Sequence, residues 1–406
     1  MKLHRSIIMA GMAAFLASCS AENTDTTEIA AETEAPVEDA SAVLFSDVPE
    51  GAQAVSFMGK ALFAAEPSQR LLDNLAAAKA DYDADPNDPM NIIWYGRRVA
   101  YTGDYRRAIE IFSEGIEKHP TDARMYRHRG HRYISIREID RAVADYEIAA
   151  KLIEGTEDKI EPDGAPNPQG IYLTTTHSNI YYHLGLSYYL RQEWEKSHDA
   201  FKMGQDLGLN DDNIVSAGHW IYMNLRRMGK DEEAQASLHN IEQDMEIIEN
   251  MSYHNLTLMY KGIIPAETLT DVDPNDPSGA AIAYGVANWF LYNGEPEKAY
   301  DLMERFMETR SWSAFGFIAA EMELSINQQK KLKHASLLVT RSPSSIYVKW
   351  PIMVAVIRFL SPTFPTVFWR PGSAYMFHVI TPRPSCLMVV TAFQKRPPRT
   401  WRRWVT

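Results

Sequence analysis

The chain has 406 residues and a formal net charge of −12 at pH 7. Residues 1–326 alone hold 28 Lys and Arg against 53 Asp and Glu, a net charge of −25. Such an acidic body argues against general binding to nucleic acid. The chain has two cysteines, Cys19 and Cys386, a number that fits export to an envelope without structural disulfides.

The first 19 residues are typical of an export signal. A basic start, residues 2–5, precedes an apolar run from Ile7 to Ala17 that is too short to span a membrane. The run ends in Leu16-Ala17-Ser18-Cys19, which resembles the lipobox of bacterial lipoproteins. The resemblance implies cleavage before Cys19 and a diacyl group on its sulfur. Ser20 in the next position implies delivery to the periplasmic face of the outer membrane. An ordinary signal peptide with an incidental cysteine is the alternative.

Residues 20–46 are rich in Ala, Glu, Thr and Asp and almost free of large apolar side chains before Val43. Such a segment cannot bury enough surface to offset its ordering entropy. It predicts a disordered acidic tether between the lipid and the folded body.

The strongest pattern is an internal repeat of 34 residues. Apolar spacing predicts one helix over about 90–101, a turn over 102–104 and a second helix over about 105–118 that Pro120 ends. Small residues recur where two helix axes approach closely, and a large aromatic recurs where the next repeat packs. These positions are Gly96, Ala108 and Phe112, repeated as Gly130, Ala142 and Tyr146.

This pattern resembles the tetratricopeptide repeat (TPR) family. The residues that carry the resemblance are Gly96, Ala108, Phe112, Pro120, Gly130, Ala142, Tyr146 and Gly185. It implies an all-α fold, an α-solenoid of TPR-like helical hairpins over residues 55–325. The second unit departs from the family at its turn, where Arg137 replaces glycine.

An insertion interrupts the array, because the step from Gly130 to Gly185 is 55 residues instead of 34. The extra residues fall near 153–175, a stretch rich in Pro and Gly that predicts an exposed loop. The loop either lies on a binding face or is a tolerated surface extension.

The end of the chain differs from the rest. After Glu323 there is no Asp or Glu for 83 residues, and the helical repeat spacing stops near Leu324. Residues 326–406 therefore form a basic, acid-free tail that is either non-native sequence, as a shifted reading frame would produce, or disordered. A genuine basic tail that contacts anionic lipid is the alternative.

No catalytic signature stands out in the sequence, which predicts a protein that is not an enzyme and has no cofactor. His128 and His131 could share a helix face, but the sequence places no third zinc ligand. The alternation of Asp81, Asp83 and Asp85 begins like a calcium loop, yet Pro86 stands where that loop requires glycine. No metal site is therefore predicted.

A basic island lies inside the acidic body. Residues 97–141 hold 11 Lys and Arg against seven Asp and Glu. In the TPR family the first helices line a concave groove, and the resemblance places six side chains there. Guanidinium groups suit carboxylate or phosphate, and aromatic rings add apolar contact area. The alternative is a solvated face balanced by neighbouring glutamates. The predicted partner-binding residues are Arg97, Arg124, Arg127, His131, Tyr182 and Tyr189.

Together these features predict a non-enzymatic adaptor or scaffold, lipid-anchored in the bacterial envelope, whose groove binds a protein or peptide of acidic character. A receptor for a small anionic ligand, or an accessory subunit of an envelope enzyme, are the alternatives. Neither nucleic acid nor a cofactor is expected as a partner.

Overall fold

The computed structural model describes residues 48–339 except 163, 165, 209, 271, 272, 274 and 276, together with five strand segments between 345 and 394; side chains are described to residue 334. The export signal, Cys19 and the tether at 20–46 lie outside the described residues. The helices are α1 (Gln69–Ala84), α2 (Pro89–Tyr101), α3 (Tyr105–Lys118), α4 (Ala123–Ser135), α5 (Ile139–Ile153), α6 (Thr176–Leu190), α7 (Trp194–Asp206), α8 (Asp211–Arg227), α9 (Asp231–Ala236), α10 (Met251–Tyr260), a 3-10 turn (Ala266–Leu269), α11 (Pro277–Tyr292), α12 (Pro296–Phe306) and α13 (Phe315–Val339).

The first complete hairpin, α2 and α3, has the bounds that the sequence predicts. Pro89 opens α2, where its fixed φ suits the first helical position, and the Asp88 carboxylate accepts the backbone N–H of Asn91. In the same way the Asp104 carboxylate accepts the backbone N–H of Arg107 at the start of α3. This second helix ends at Lys118, two residues before Pro120.

A glycine of the first helix packs against an aromatic ring of the second helix in three successive hairpins. A Cβ added at Gly96 would lie 2.6 Å from the Phe112 ring, and one at Gly130 would lie 2.8 Å from the Tyr146 ring. Gly185 stands in the same relation to Phe201, at 2.7 Å. All three rings are fully buried. The absence of a side chain on the first helix therefore makes room for the ring that fills the hairpin.

The turns between paired helices share a left-handed residue at one position of the repeat. Gly103 occupies it in the first unit with φ +89°, and Gly229 and Gly294 occupy it in the last two. Arg137 and Gln192 hold the same conformation in the second and third units, with φ +72° and +59°. Since this conformation costs a non-glycine residue roughly 1–2 kcal/mol, these two turns are strained.

This common turn position also sets the repeat register in the last two helix pairs, α8 with α9 and α11 with α12. Tyr222 and Ala287 lie seven residues before the turn glycines and are therefore the counterparts of Gly96. Ala234 and Ala299 lie twelve residues further on and are the counterparts of Ala108. All four residues are buried. The large position is taken by Leu238 and Met303, both fully buried. The predicted fold class is confirmed: the chain is an all-α array of TPR-like hairpins, with α1 before the first complete pair.

The last helix, α13, closes the array by two buried ion pairs to earlier units. The Arg137 guanidinium donates to the Glu321 carboxylate at 2.7 Å, and that of Arg227 lies 2.9 Å from Glu323. Both carboxylates are almost fully buried. Arg137 also donates to the carbonyl of Trp312, just before α13, so the residue with the strained backbone makes one of the two ion pairs to this helix and a further bond beside it.

The described ends of the chain contain short antiparallel strands. β1 (Ala54–Val55) pairs with β2 (Ala61–Leu62) before the first helix. Beyond α13, β3 (Ser345–Trp350), β4 (Met353–Phe359) and β5 (Pro365–Val367) form one sheet, and β6 (Tyr375–Phe377) pairs with β7 (Ala392–Gln394). α13 itself continues to Val339, past the predicted end of the array at 325. None of the described helices is both long and apolar enough to cross a membrane. The frameshift interpretation of the tail stays a prediction.

The contact between Gly96 and Phe112 is tested by Gly96→Ala, with Gly204→Ala as control. A methyl group at Gly96 forces the buried ring to move, which we expect to lower the free energy of unfolding by about 1–3 kcal/mol. Gly204 also lies inside a helix, but its added Cβ would meet its nearest neighbours at 3.5 Å, an ordinary contact. Gly204→Ala should therefore raise stability by about 0.5–1 kcal/mol through helix propensity. Urea unfolding followed by circular dichroism measures both; equal stabilities would contradict the packing argument.

Candidate functional site

The insertion packs against the face of the array that is formed by the first helices α2, α4 and α6, here called the inner face. Its two ends are held together by a short antiparallel bridge between Ile160 and Thr175. The Glu161 N–H donates to the carbonyl of Thr174, and the Thr176 N–H donates to that of Lys159. The insertion therefore has a fixed neck, which delivers Glu161 and Pro162 to the inner face.

The segment that follows the neck is tied to α2 by two guanidinium groups. Arg97 donates to the carbonyl of Pro162 at 2.9 Å, and Arg98 donates to that of Gly164 at 2.8 Å. A Cβ at Gly164 would lie 2.1 Å from the Tyr101 hydroxyl oxygen, so a larger residue at this position would require the Tyr101 side chain to move. The loop predicted at 153–175 is thus docked on the array through the segment that directly follows its neck.

Between the insertion and the inner face lies a cavity of about 240 Å³, here called the cationic cavity. Among the described residues, three arginines and three histidines line it, and one carboxylate, Glu161, faces them. Its lining residues are Arg97, Ala100, Tyr101, Phe112, Arg127, His128, His131, Arg132, Glu161, Pro162, Thr174, Asn179 and His183.

The Glu161 carboxylate is buried and bonded on both oxygens. Oε1 lies 3.2 Å from Nη2 of Arg127, and Oε2 accepts from Nδ2 of Asn179 at 3.1 Å. Arg127 is itself buried, and its Nη1 lies 2.9 Å from Nδ1 of His128. The cavity therefore contains one buried ion pair whose two members come from the repeat array and from the insertion.

The other two guanidinium groups of the cavity are held by rings rather than by carboxylates. Arg97 lies 4.5 Å from the centre of the Trp94 ring, and Arg132 lies 5.4 Å from that of Tyr105. Within the part of the chain that the structure describes, neither one forms an ion pair. The buried Nε of Arg127 has no hydrogen-bond acceptor there. The cavity thus has donors and positive charge that its own carboxylate does not satisfy.

Burial sets the protonation of the cavity's titratable rings. It lowers the pKa of His128 and of His131 well below the usual histidine value, helped by Arg127 and Arg132 respectively. Burial and Arg127 lower the pKa of His183 to about 3. Burial also lowers the pKa of Arg132, although a guanidinium stays charged in water near neutral pH. At pH 7 the three rings are neutral, and the charge of the described lining comes from three arginines and one glutamate.

The six predicted groove residues are not all brought together. Arg97, Arg127 and His131 line the cationic cavity. Arg124 instead binds the Asp122 carboxylate at 2.5 Å and opens on an adjoining depression. Three of the six residues therefore line one cavity, and their role in binding a partner stays a prediction.

The two predicted tyrosines, Tyr182 and Tyr189, do not line the cationic cavity. The Tyr182 hydroxyl accepts from Trp220 Nε1 at 2.9 Å and lies on a neighbouring cavity of about 240 Å³. Tyr189 is 2% exposed, and its hydroxyl lies 2.8 Å from that of Tyr284. The expectation of a groove contact at Tyr189 is corrected here, because later helices pack over this ring and bury it.

Two charged members of the cavity were not predicted from the sequence. Arg132 lies four residues after His128, on the same helix face, and this spacing could have revealed it. Glu161 could not be found in this way, since the fold of the insertion alone decides where its carboxylate lies. Over the described parts of the chain, no group of three or more His, Cys, Asp or Glu side chains has the arrangement of a metal site.

Comparison with known proteins yields structural likeness alone. No family model and no curated protein matches the chain. A crystal structure of YrrB, described as a TPR protein with an unusual peptide-binding site, is 14% identical over 63% of this chain and 99% of its own, with a TM-score of 0.34. A MamA structure is 20% identical over 41% of this chain and 85% of its own, with a TM-score of 0.32. A structure from Podosopora anserina, described as that of a kinesin light chain with TPR-like repeats, is 13% identical over 55% of this chain and 94% of its own, with a TM-score of 0.33. These similarities are too distant to carry an argument, and the assignment of the fold rests on the repeat geometry.

The buried histidines make stability depend on pH. In the unfolded chain a histidine takes up a proton near pH 6.5, whereas the folded chain resists this until about pH 3 at His183 and His219. The unfolded state therefore binds more protons between these values, and the free energy of unfolding falls as pH is lowered through this window. Each such ring contributes a slope of about 1.4 kcal/mol per pH unit.

Urea unfolding at pH 6.0, 5.5 and 5.0 tests this with His219→Gln. Glutamine does not titrate and offers an acceptor to the Tyr260 hydroxyl, which His219 Nδ1 contacts at 3.0 Å. In this variant we expect the slope of the free energy of unfolding against pH to be smaller than in the wild type by about 1.4 kcal/mol per pH unit. His239→Gln, at an exposed ring, serves as control for the loss of an imidazole group. Parallel slopes for the wild type and His219→Gln would contradict the argument.

Proposed function

We propose that the protein is a non-enzymatic adaptor that binds an acidic segment of another protein on the inner face of its helical repeats. It is anchored through a lipid on Cys19 at the periplasmic face of the outer membrane. The observation that carries the proposal is the excess of guanidinium groups over carboxylates among the described residues that line the cationic cavity, within a body of net charge −25. An acidic surface repels acidic partners in general, so an acidic segment gains only where these arginines can reach it.

The arrangement suits a carboxylate or phosphate oxygen better than a neutral group. Guanidinium groups offer planar, paired donors that match such oxygens, and a buried site strengthens the attraction because less water screens it. The unsatisfied Nε of Arg127 and the Arg132 side chain, which lacks an ion pair to any described residue, each gain a partner when an anion enters. Binding therefore relieves a cost that the empty fold carries.

A receptor for a small anionic ligand is the second candidate. The enclosed volume of the cavity, about 240 Å³, favours it, since this space holds a small molecule or one side chain rather than a length of peptide. The two candidates differ in what lies outside the cavity: a protein partner buries surface around the opening, whereas a small ligand does not.

The adaptor is tested by crosslinking the full-length chain to its partner in envelope preparations, comparing Arg132→Met with Arg107→Met. Both variants remove one guanidinium, but Arg107 lies on the exposed side of α3 in a pair with Glu110. We expect Arg132→Met to weaken capture of the same crosslinked protein at least about tenfold and Arg107→Met to leave it unchanged. Equal capture by both variants would contradict the site. The small-ligand receptor would be favoured by a different pair of results. The wild type would capture no protein, and citrate would raise the thermal stability of the wild type but not that of Arg132→Met.

The anchor is tested separately by metabolic labelling with an alkyne fatty acid in a Gram-negative host. The wild type should incorporate the label and sediment with the outer membrane. Cys19→Ala removes the sulfur that would carry the diacyl group, so it should incorporate no label and be released in soluble form. Cys386→Ala provides the matched control, with labelling retained. Labelling of Cys19→Ala would place the lipid elsewhere.

A further inference from the structure

Glu161 is the one acidic side chain among the described residues that line the cationic cavity. It is a carboxylate from the inserted segment, not from the repeats, yet it is 7% exposed and points into a cavity built by α2 and α4. We propose that Glu161 is a built-in competitor: its carboxylate occupies, from within the chain, the position that the acidic group of a ligand takes in the cationic cavity. This inference rests on the proposed function and adds to it the means by which binding is restrained.

The contacts of Glu161 are those that a ligand carboxylate would make. One oxygen faces the Arg127 guanidinium at 3.2 Å and the other accepts from the Asn179 amide at 3.1 Å. The contact to Nε2 of His128, at 3.6 Å, is not an ion pair at neutral pH, because burial keeps that ring uncharged. The competitor is therefore held by one charged partner and one amide.

The charges around Glu161 explain why it can be displaced. Three guanidinium groups line the cavity, and this carboxylate offsets one of them among the described residues. A dianionic phosphate, or a carboxylate that reaches Arg132 as well as Arg127, would satisfy more of that charge than Glu161 does. The ligand's advantage over the competitor comes from the guanidinium groups that Glu161 leaves without a carboxylate.

Displacement does not require the insertion to unfold. Its neck is fixed by the backbone bonds of Glu161 and Thr176, and the segment that follows the neck is fixed by the bonds that Arg97 and Arg98 donate to backbone carbonyls. None of these bonds uses the Glu161 carboxylate. A change of the Glu161 side-chain rotamer therefore vacates the position while the backbone of the loop stays docked, and the event belongs to the timescale of side-chain motion.

Inorganic phosphate is the probe for this inference, titrated into the full-length protein by calorimetry at constant ionic strength. Glu161→Gln removes the competing charge but keeps the size of the side chain, and we expect phosphate to bind it at least about tenfold more tightly than the wild type. Glu157→Gln is the matched control, since this neighbouring carboxylate is exposed and touches neither Arg127 nor Arg132. It should bind phosphate as the wild type does.

Two further variants keep the test decisive. Glu161→Asp retains the charge and withdraws it from Arg127, so it should bind phosphate with intermediate affinity even if Glu161→Gln folds poorly. Adding Arg132→Met to Glu161→Gln should abolish the gain. Equal affinities of the wild type, Glu161→Asp and Glu161→Gln would overturn the inference, and so would an equal gain in Glu157→Gln, which would mean that net charge alone is responsible.

Failure of this inference can be told apart from failure of the adaptor proposal. Phosphate binding reports on the cavity alone, whereas crosslinking reports on the protein partner. If Glu161→Gln binds phosphate more tightly but partner capture does not depend on Arg132, the role of Glu161 as competitor is supported and the proposed adaptor site is contradicted. If partner capture depends on Arg132 but substitution of Glu161 leaves the phosphate affinity unchanged, the adaptor site is supported and the role of Glu161 as competitor is contradicted.

Discussion

The contact between a glycine of one helix and an aromatic ring of the next holds each of the first three hairpins at a fixed separation. Where Gly96 meets Phe112, a side chain on the first helix would push the axes apart, and the ring would no longer fill the space between them. Because Gly130 and Tyr146 repeat the contact 34 residues later, successive hairpins stack in one register. That register places α2, α4 and α6 side by side, and the cationic cavity exists only because their side chains converge.

Electrostatics gives this stack its functional character. Burying a guanidinium group is costly unless a carboxylate or a ring compensates for it, and the array buries several on its inner face. Two are paired with α13, at Arg137 and Arg227, and these pairs join the last helix to distant units. Those in the cationic cavity share one carboxylate among the described residues. Under the proposed function, the cavity guanidinium groups that have no carboxylate partner among the described residues are the ones that receive the anion.

The inner face is divided between the chain's own segments. The insertion supplies Glu161 to the cationic cavity, while α13 supplies Glu321 and Glu323 to the units on either side and places Phe315 against His131 and His183. A partner therefore meets a face on which acidic groups of the protein already occupy basic positions. Under the proposed function, binding is an exchange of one carboxylate for another, and affinity depends on the difference between the two.

Much of the architecture was determined by the sequence alone, because local spacing controls it: the bounds of α2 and α3, the small residues at Gly96 and Ala108, and the turns follow from contacts within one hairpin. The common location of Arg97 and His131 follows for the same reason, since they are equivalent positions of adjacent repeats. The tertiary structure alone decided where Glu161 and Tyr189 lie. The carboxylate reaches the inner face through the path of an insertion that has no repeat, and the ring is covered by helices that are distant in sequence. Burial and pairing at such positions depend on contacts between remote segments, which no local pattern encodes.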